Sequence, residues 1–131
     1  MKTKYCRVCG VPGAEEHHIV FRGKQPGMIH CKLNLISLCA EHHKGSQGPH
    51  LCRKVDLDYK LELQEKLFNI FDKDYYTEDE IKNKLEIPKK DAAILIKILK
   101  STFIDGEYKY AKEDIVRRCM GDKLYEVWYR K

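Results

Sequence analysis

No segment of the 131-residue chain approaches the roughly 20 consecutive apolar residues that a membrane-spanning helix requires. No charged-then-apolar leader stands before the first cysteine, because Met1-Lys2-Thr3-Lys4 runs directly into Tyr5-Cys6. These absences argue against a membrane or secreted protein and lead to the expectation of a cytoplasmic one. In that compartment closely spaced cysteines serve as metal ligands rather than disulfides. Internal repeats and low-complexity tracts are also missing. Acidic residues are scarce in one region only: residues 1–54 hold three Asp and Glu against nine Lys and Arg, a net +6, while residues 55–131 hold 17 against 16. A basic segment joined to a near-neutral one points to a polyanionic partner for the first.

What is present divides at the same place. Residues 1–54 contain all six histidines and five of the six cysteines, punctuated by Gly10, Pro12-Gly13, Gly23, Pro26-Gly27, Gly45 and Gly48-Pro49. That composition favours hairpins and loops, and so little apolar surface calls for a metal to supply stability. From Asp56 onward the pattern is helical. Leu57, Leu61, Phe68 and Phe71, with Leu67 beside them, form one stripe of a helix. Thr77-Glu78-Asp79-Glu80 has the form of a capping box for a short helix carrying Ile81 and Leu85, which must stop before Pro88. A further helix starting near Asp91 is expected to bury Leu95, Ile98 and Leu99. Asp105-Gly106 is a two-residue hairpin turn, and Ala111 to Met120 is a last helix ended by Gly121. The expected class is therefore α+β, with a metal-stabilised module over 1–54 and a mainly helical one over 55–131. The order of elements in the second module is compatible with a winged helix-turn-helix, or with a helical cap that packs on the first module or dimerises.

Zinc in a structural site takes four tetrahedral N or S ligands, commonly from two short knuckles. Cys6-x-x-Cys9 makes one knuckle and Cys39-x-x-His42 the other. Cys31, Cys52 and Cys119 lack a partner at such spacing and are read as ordinary thiols. His17 and His18 are adjacent, so on a strand they point to opposite faces: one can face a metal and the other a substrate. A neutral imidazole can take a proton from water near neutral pH.

Taken in order, Cys6-x-x-Cys9, Glu16-His17-His18-Ile19, Asn34-Leu35-Ile36-x-Leu38-Cys39 and the closing His43 resemble the HNH endonuclease family, the ββα-metal nucleases, over roughly residues 5–50. The resemblance implies a β-hairpin and helix around one catalytic divalent metal, Mg²⁺ or another such as Mn²⁺ or Ni²⁺, and metal-dependent nicking of DNA. His18 matches the general base, and Asn34 the residue that ties down the hairpin loop. His17 and His43 match metal ligands, and Cys6, Cys9, Cys39 and His42 match structural Zn²⁺ ligands. The sequence departs from the family where Gln47 stands in place of a further histidine, which leaves either His50, three residues on, or a water as the third ligand. Arg22-Gly23-Lys24-Gln25-Pro26-Gly27 also replaces a more usual Gly-Gly loop. Arg22, Lys24, Lys32 and Lys44 are candidate phosphate contacts. Asp56–Leu67 and Glu113–Tyr125 resemble, more loosely, helical extensions of small bacteriophage HNH proteins. That implies a phage or prophage setting in the cytoplasm of a bacterial host, with terminase or other packaging proteins as partners, and a monomer or weak homodimer. The rival expectations are a non-catalytic zinc-containing DNA-binding or packaging protein, and a protein-binding adaptor that uses the helical half.

Overall fold

The computed structural model describes residues 3–126, an α+β chain with two small antiparallel sheets. In the first sheet, strand β1 (Glu15–His18) pairs with β2 (Leu35–Leu38), placing His17 opposite Ile36 and His18 opposite Leu35. Sixteen residues of loop separate the strands, shaped by 3₁₀ turns at Pro26–Met28 and Lys32–Asn34. Helix α1 (Ala40–Lys44) follows β2 directly, with Cys39 as its N-cap. The Gly- and Pro-rich composition thus yields short strands, tight turns and one helical turn.

Helix α2 (Arg53–Ile70) is longer than its apolar stripe requires and buries Leu61, Leu63 and Leu67, with Phe71 buried just beyond its end. Strand β3 (Tyr75–Tyr76) leads into α3 (Glu78–Leu85), where Thr77 and Glu80 form the reciprocal capping box. Such a cap stabilises a helix end by about 1 kcal/mol. Helix α4 (Lys89–Ile96) is followed by β4 (Ser101–Ile104), β5 (Glu107–Ala111) and α5 (Lys112–Cys119). The strand order is β3-β5-β4. Asp105 and Gly106 both have positive φ, as a tight hairpin turn between β4 and β5 demands, and Gly121 at φ 82° ends the last helix. One expectation fails here. Helix α4 stops at Ile96, so Ile98 leaves the helical register and is 68% exposed.

The apolar core runs across residue 54. Ile19, Val20, Met28 and Cys31 pack in one cluster with Leu63, Leu67 and Phe71 near α2, Leu95 of α4, and Ile115, Val116 and Cys119 of α5. Burying each large aliphatic or aromatic side chain contributes about 1.5–3 kcal/mol. The loop between β1 and β2 is therefore held by the helical half. Gly27 marks a close approach: a Cβ there would stand 2.9 Å from the Leu95 side chain and 3.0 Å from the Asp91 carbonyl oxygen. Among the described residues, no helix is long and apolar enough to cross a membrane.

Candidate metal centres and cleft

Cys6, Cys9, Cys39 and His42 converge so that their ligand atoms all lie within 4.8 Å of one another, a group that can hold a metal ion. Cys6 and Cys9 sit on a turn closed by the Cys6 N–H to Val11 and Gly10 N–H to Cys6 hydrogen bonds, and the Arg7 N–H ties that turn to Ser37 of β2. Cys39 and His42, three apart at the start of α1, face the same side. The Cys9 and Cys39 sulfurs are 3.8 Å apart, and His42 Nδ1 lies 3.7 Å from Cys6 Sγ and 3.3 Å from Cys39 Sγ. A tetrahedron with Zn–S bonds of about 2.3 Å and Zn–N bonds of about 2.1 Å has edges of roughly 3.6–3.8 Å, which two of these separations match, the Cys39–His42 one being slightly shorter. Burial opposes ionisation of Cys6, yet N–H groups of Cys39, Cys9 and Val8 surround its sulfur and bring the thiol down to about 5. The six cysteines are free, and Cys31 and Cys119 are buried in the core.

A second group forms around three imidazoles. His17 from β1, His43 from α1 and His50 from the loop after α1 place one ring nitrogen each within the same 4.8 Å limit. Their ring centroids are 5.0, 5.0 and 4.7 Å apart, and Nε2 of His43 and Nε2 of His50 are separated by 3.0 Å. Gly48 lets the loop turn so tightly after α1, because a Cβ there would stand 2.3 Å from the His43 carbonyl oxygen. Phe21 stacks on the His50 ring at 5.7 Å and 12°, and Lys60 of α2 lies over the other ring of that stack, 4.6 Å from the Phe21 centroid.

His17 is 2% exposed, and its Nε2 has no hydrogen-bond partner among the described residues. A buried, unsatisfied nitrogen facing two other imidazoles is what a ligand atom looks like without its ion. Burial, followed by the neighbouring His43, His50, His18 and Lys60, depresses His17 to about 4, so it is neutral at physiological pH. Burial and the His43 and Lys44 charges lower His50 as well. His43 Nδ1 donates to Glu15 Oε1 at 2.9 Å, which leaves its Nε2 lone pair directed at the cluster. That hydrogen bond holds the Glu15 carboxyl below its usual range.

His18 lies beside this group. Its Nε2 is 3.1 Å from the Ile29 carbonyl oxygen. A carbonyl only accepts, so Nε2 carries the proton and a neutral His18 keeps its lone pair on Nδ1. Asn34, fully buried, accepts from the Val20 N–H at 2.7 Å and donates to the Val20 and Met28 carbonyls at 3.1 and 3.2 Å. It thereby fixes both ends of the loop segment that presents Ile29 to His18.

An open cleft of about 300 Å³ is lined by His17, His18, His43, His50, Arg22 and Lys44, with Glu16 and Phe21. The four basic residues singled out in the sequence are thus divided. Arg22 and Lys44 border this cleft, Lys24 lines a neighbouring one with Lys60, Lys123 and Tyr125, and Lys32 is exposed on a 3₁₀ turn. Glu15, Phe21 and the Ile29 carbonyl were missed by sequence reasoning. The period of two along β1 places Glu15 on the face of His17, a signal that was available. The chain matches no family model, and neither a curated protein nor a solved structure is significantly similar to it.

Proposed function

We propose that the chain is a metal-dependent endonuclease of the HNH kind that nicks DNA by hydrolysing phosphodiester bonds. The observation that carries this reading is the pairing, in one basic cleft, of a histidine whose Nε2–H is committed to a carbonyl with three imidazoles whose buried member lacks a partner. The order β1-β2-α1 supports the ββα-metal reading, and Cys6, Cys9, Cys39 and His42 are the ligands of a structural Zn²⁺ that pins the ends of that unit.

In this reading His18 Nδ1 takes a proton from the attacking water, and the Ile29 carbonyl stabilises the imidazolium that forms. Asn34 keeps that carbonyl in place. Arg22 and Lys44 hold the phosphate backbone across the cleft mouth. His17, His43 and His50 would hold a divalent ion, which would supply neutralisation of the charge that builds up as the phosphodiester breaks. Three neutral nitrogens suit Ni²⁺, Mn²⁺ or Zn²⁺ better than Mg²⁺, which favours oxygen ligands. The run α2-β3-α3-α4-β4-β5, with strand order β3-β5-β4, supports reading the helical half as a winged helix-turn-helix. A phage setting with packaging partners rests on the sequence resemblance.

The test is incubation of purified protein with supercoiled plasmid and a panel of divalent metals, beside the His18→Ala variant. Nicked circles from the parent chain alone are the expected result. No cleavage with any metal overturns the reading in favour of a non-catalytic DNA-binding protein.

A further inference from the structure

Several lysines of α2, α3 and the segment between them are neutralised by carboxylates. Lys54 pairs with Asp58, Lys60 with Asp56, Lys66 with Glu62, Lys73 with Glu80 and Lys84 with Asp72. Helix α4 and the turn after it instead gather four lysines without such partners. Lys89, Lys90, Lys97 and Lys100 are all exposed, and none forms an ion pair or side-chain hydrogen bond among the described residues. The acidic residue of this stretch, Asp91, is buried and bonded to His30 at 2.9 Å, so it does not neutralise them. Along α4 the exposed positions 89, 90, 93 and 97 fall on one face, with the small Ala93 in its middle, while Ala92 and Leu95 face the core.

The β4–β5 hairpin follows this face. At its tip Phe103 and Tyr108, 62% and 65% exposed, pack edge to face with centroids 5.0 Å apart. Tyr108 shares a cleft with Lys89, rimmed by Glu78, Asp79 and Glu107. Those carboxylates repel phosphates from the Lys89 end and leave the edge formed by Lys90, Lys97 and Lys100 as the cationic one.

We propose that this face of α4, with the hairpin beside it, is a second nucleic-acid surface, and that its partner is double-stranded DNA. Unpaired lysines on both sides of the small Ala93 suit a polyanion approaching the helix closely. A helix of about 10–12 Å diameter also matches the roughly 12 Å major groove. Phosphate contacts of this kind position the duplex and carry no sequence information of their own. The surface lies outside the histidine cleft and does not depend on the nuclease reading.

The experiment uses the full chain carrying His18→Ala, with no divalent metal added, and a fluorescent 30-base-pair DNA duplex as probe (about three helical turns). Anisotropy is recorded across a range of salt concentrations. Replacing Lys90, Lys97 and Lys100 by Ala is expected to weaken binding at least about tenfold and to lower the salt slope by about 2–3. Lys66→Ala is expected to change neither, and far-ultraviolet circular dichroism checks that every variant is folded. Unchanged affinity and slope in the folded triple variant overturn the proposal, as does binding to an RNA hairpin but not to the duplex. Because cleavage is not read, a failure of the nuclease reading leaves this result intact, and the converse also holds.

Discussion

His43 Nδ1 donates to the Glu15 carboxylate at 2.9 Å, linking helix α1 to strand β1 and fixing the tautomer of a buried imidazole. With the proton held on Nδ1, Nε2 is a lone pair facing His17 and His50. Partners of this kind orient metal-binding histidines and raise their basicity. Glu15→Ala is therefore expected to weaken divalent-metal binding about 10–100-fold, while Glu15→Gln, which keeps an acceptor without the charge, loses less. Isothermal titration with Mn²⁺ or Ni²⁺ measures this. Equal affinity in the parent chain and Glu15→Ala removes Glu15 from the site.

The proposed base is tested separately from the proposed metal site. His18 Nε2 is bound to Ile29, so only Nδ1 is free to accept a proton. His18→Ala should reduce plasmid cleavage about 10²–10⁴-fold, the usual worth of a positioned general base, with metal affinity within a factor of about two. A variant that cleaves at the parent rate would eliminate His18 as the base.

Removing the tetrad tests stability rather than chemistry. Cys6 is buried and its sulfur lies 3.7 Å from His42 Nδ1. A structural metal in so small a module contributes several kcal/mol, so Cys6→Ala, or a strong chelator, should lower Tm by more than about 10 °C. Inductively coupled plasma analysis should find about one zinc per chain fewer in Cys6→Ala than in the parent. An unchanged Tm sinks the structural role.

These elements were not equally legible. The knuckles could be read because x-x spacing is local, and so could the capping box at Thr77 and Glu80 and the Asp105-Gly106 turn. His50 was harder, since its place depends on how Gly45 and Gly48 fold the loop back over His43. Ile98 was misplaced because the apolar period of α4 continues past the point where the backbone leaves the helix. The packing of Ile19, Val20, Met28 and Cys31 against α2, α4 and α5 left no trace in either half's pattern, because it pairs positions far apart in the chain.

Acid should destabilise the chain when no metal fills the three-histidine cradle. An ordinary histidine titrates near 6.5, whereas burial takes His17 down to about 4. Between these values the unfolded chain binds a proton that the folded one excludes. Stability is therefore fully present above about 6.5 and lost as pH falls toward 4, by at most about 3 kcal/mol. The lowered His50 acts in the same direction. Urea midpoints at about pH 7.5 and about pH 5 should differ more for the parent chain than for His17→Leu. Identical shifts would show that His17 does not set the acid limit.

One partly buried contact ties the loop between β1 and β2 to helix α4. Asp91 of α4 is buried, and its carboxylate accepts from His30 Nδ1 at 2.9 Å. His30 follows Ile29, whose carbonyl orients His18, and Gly27 of the same loop packs directly on Asp91 and Leu95. Helix α4 is thus a backstop for the loop whose Ile29 carbonyl orients His18, the proposed base. Asp91→Ala removes the acceptor and leaves a small void, at a stability cost of about 1–3 kcal/mol. If the backstop matters for function, kcat for nicking falls while KM and divalent-metal affinity stay near parent values. Asp91→Asn, which keeps both size and an acceptor, then restores most of the rate. A loss of kcat that Asn does not rescue, or a change confined to KM, would mean that the contact serves folding or substrate binding and does not position His18.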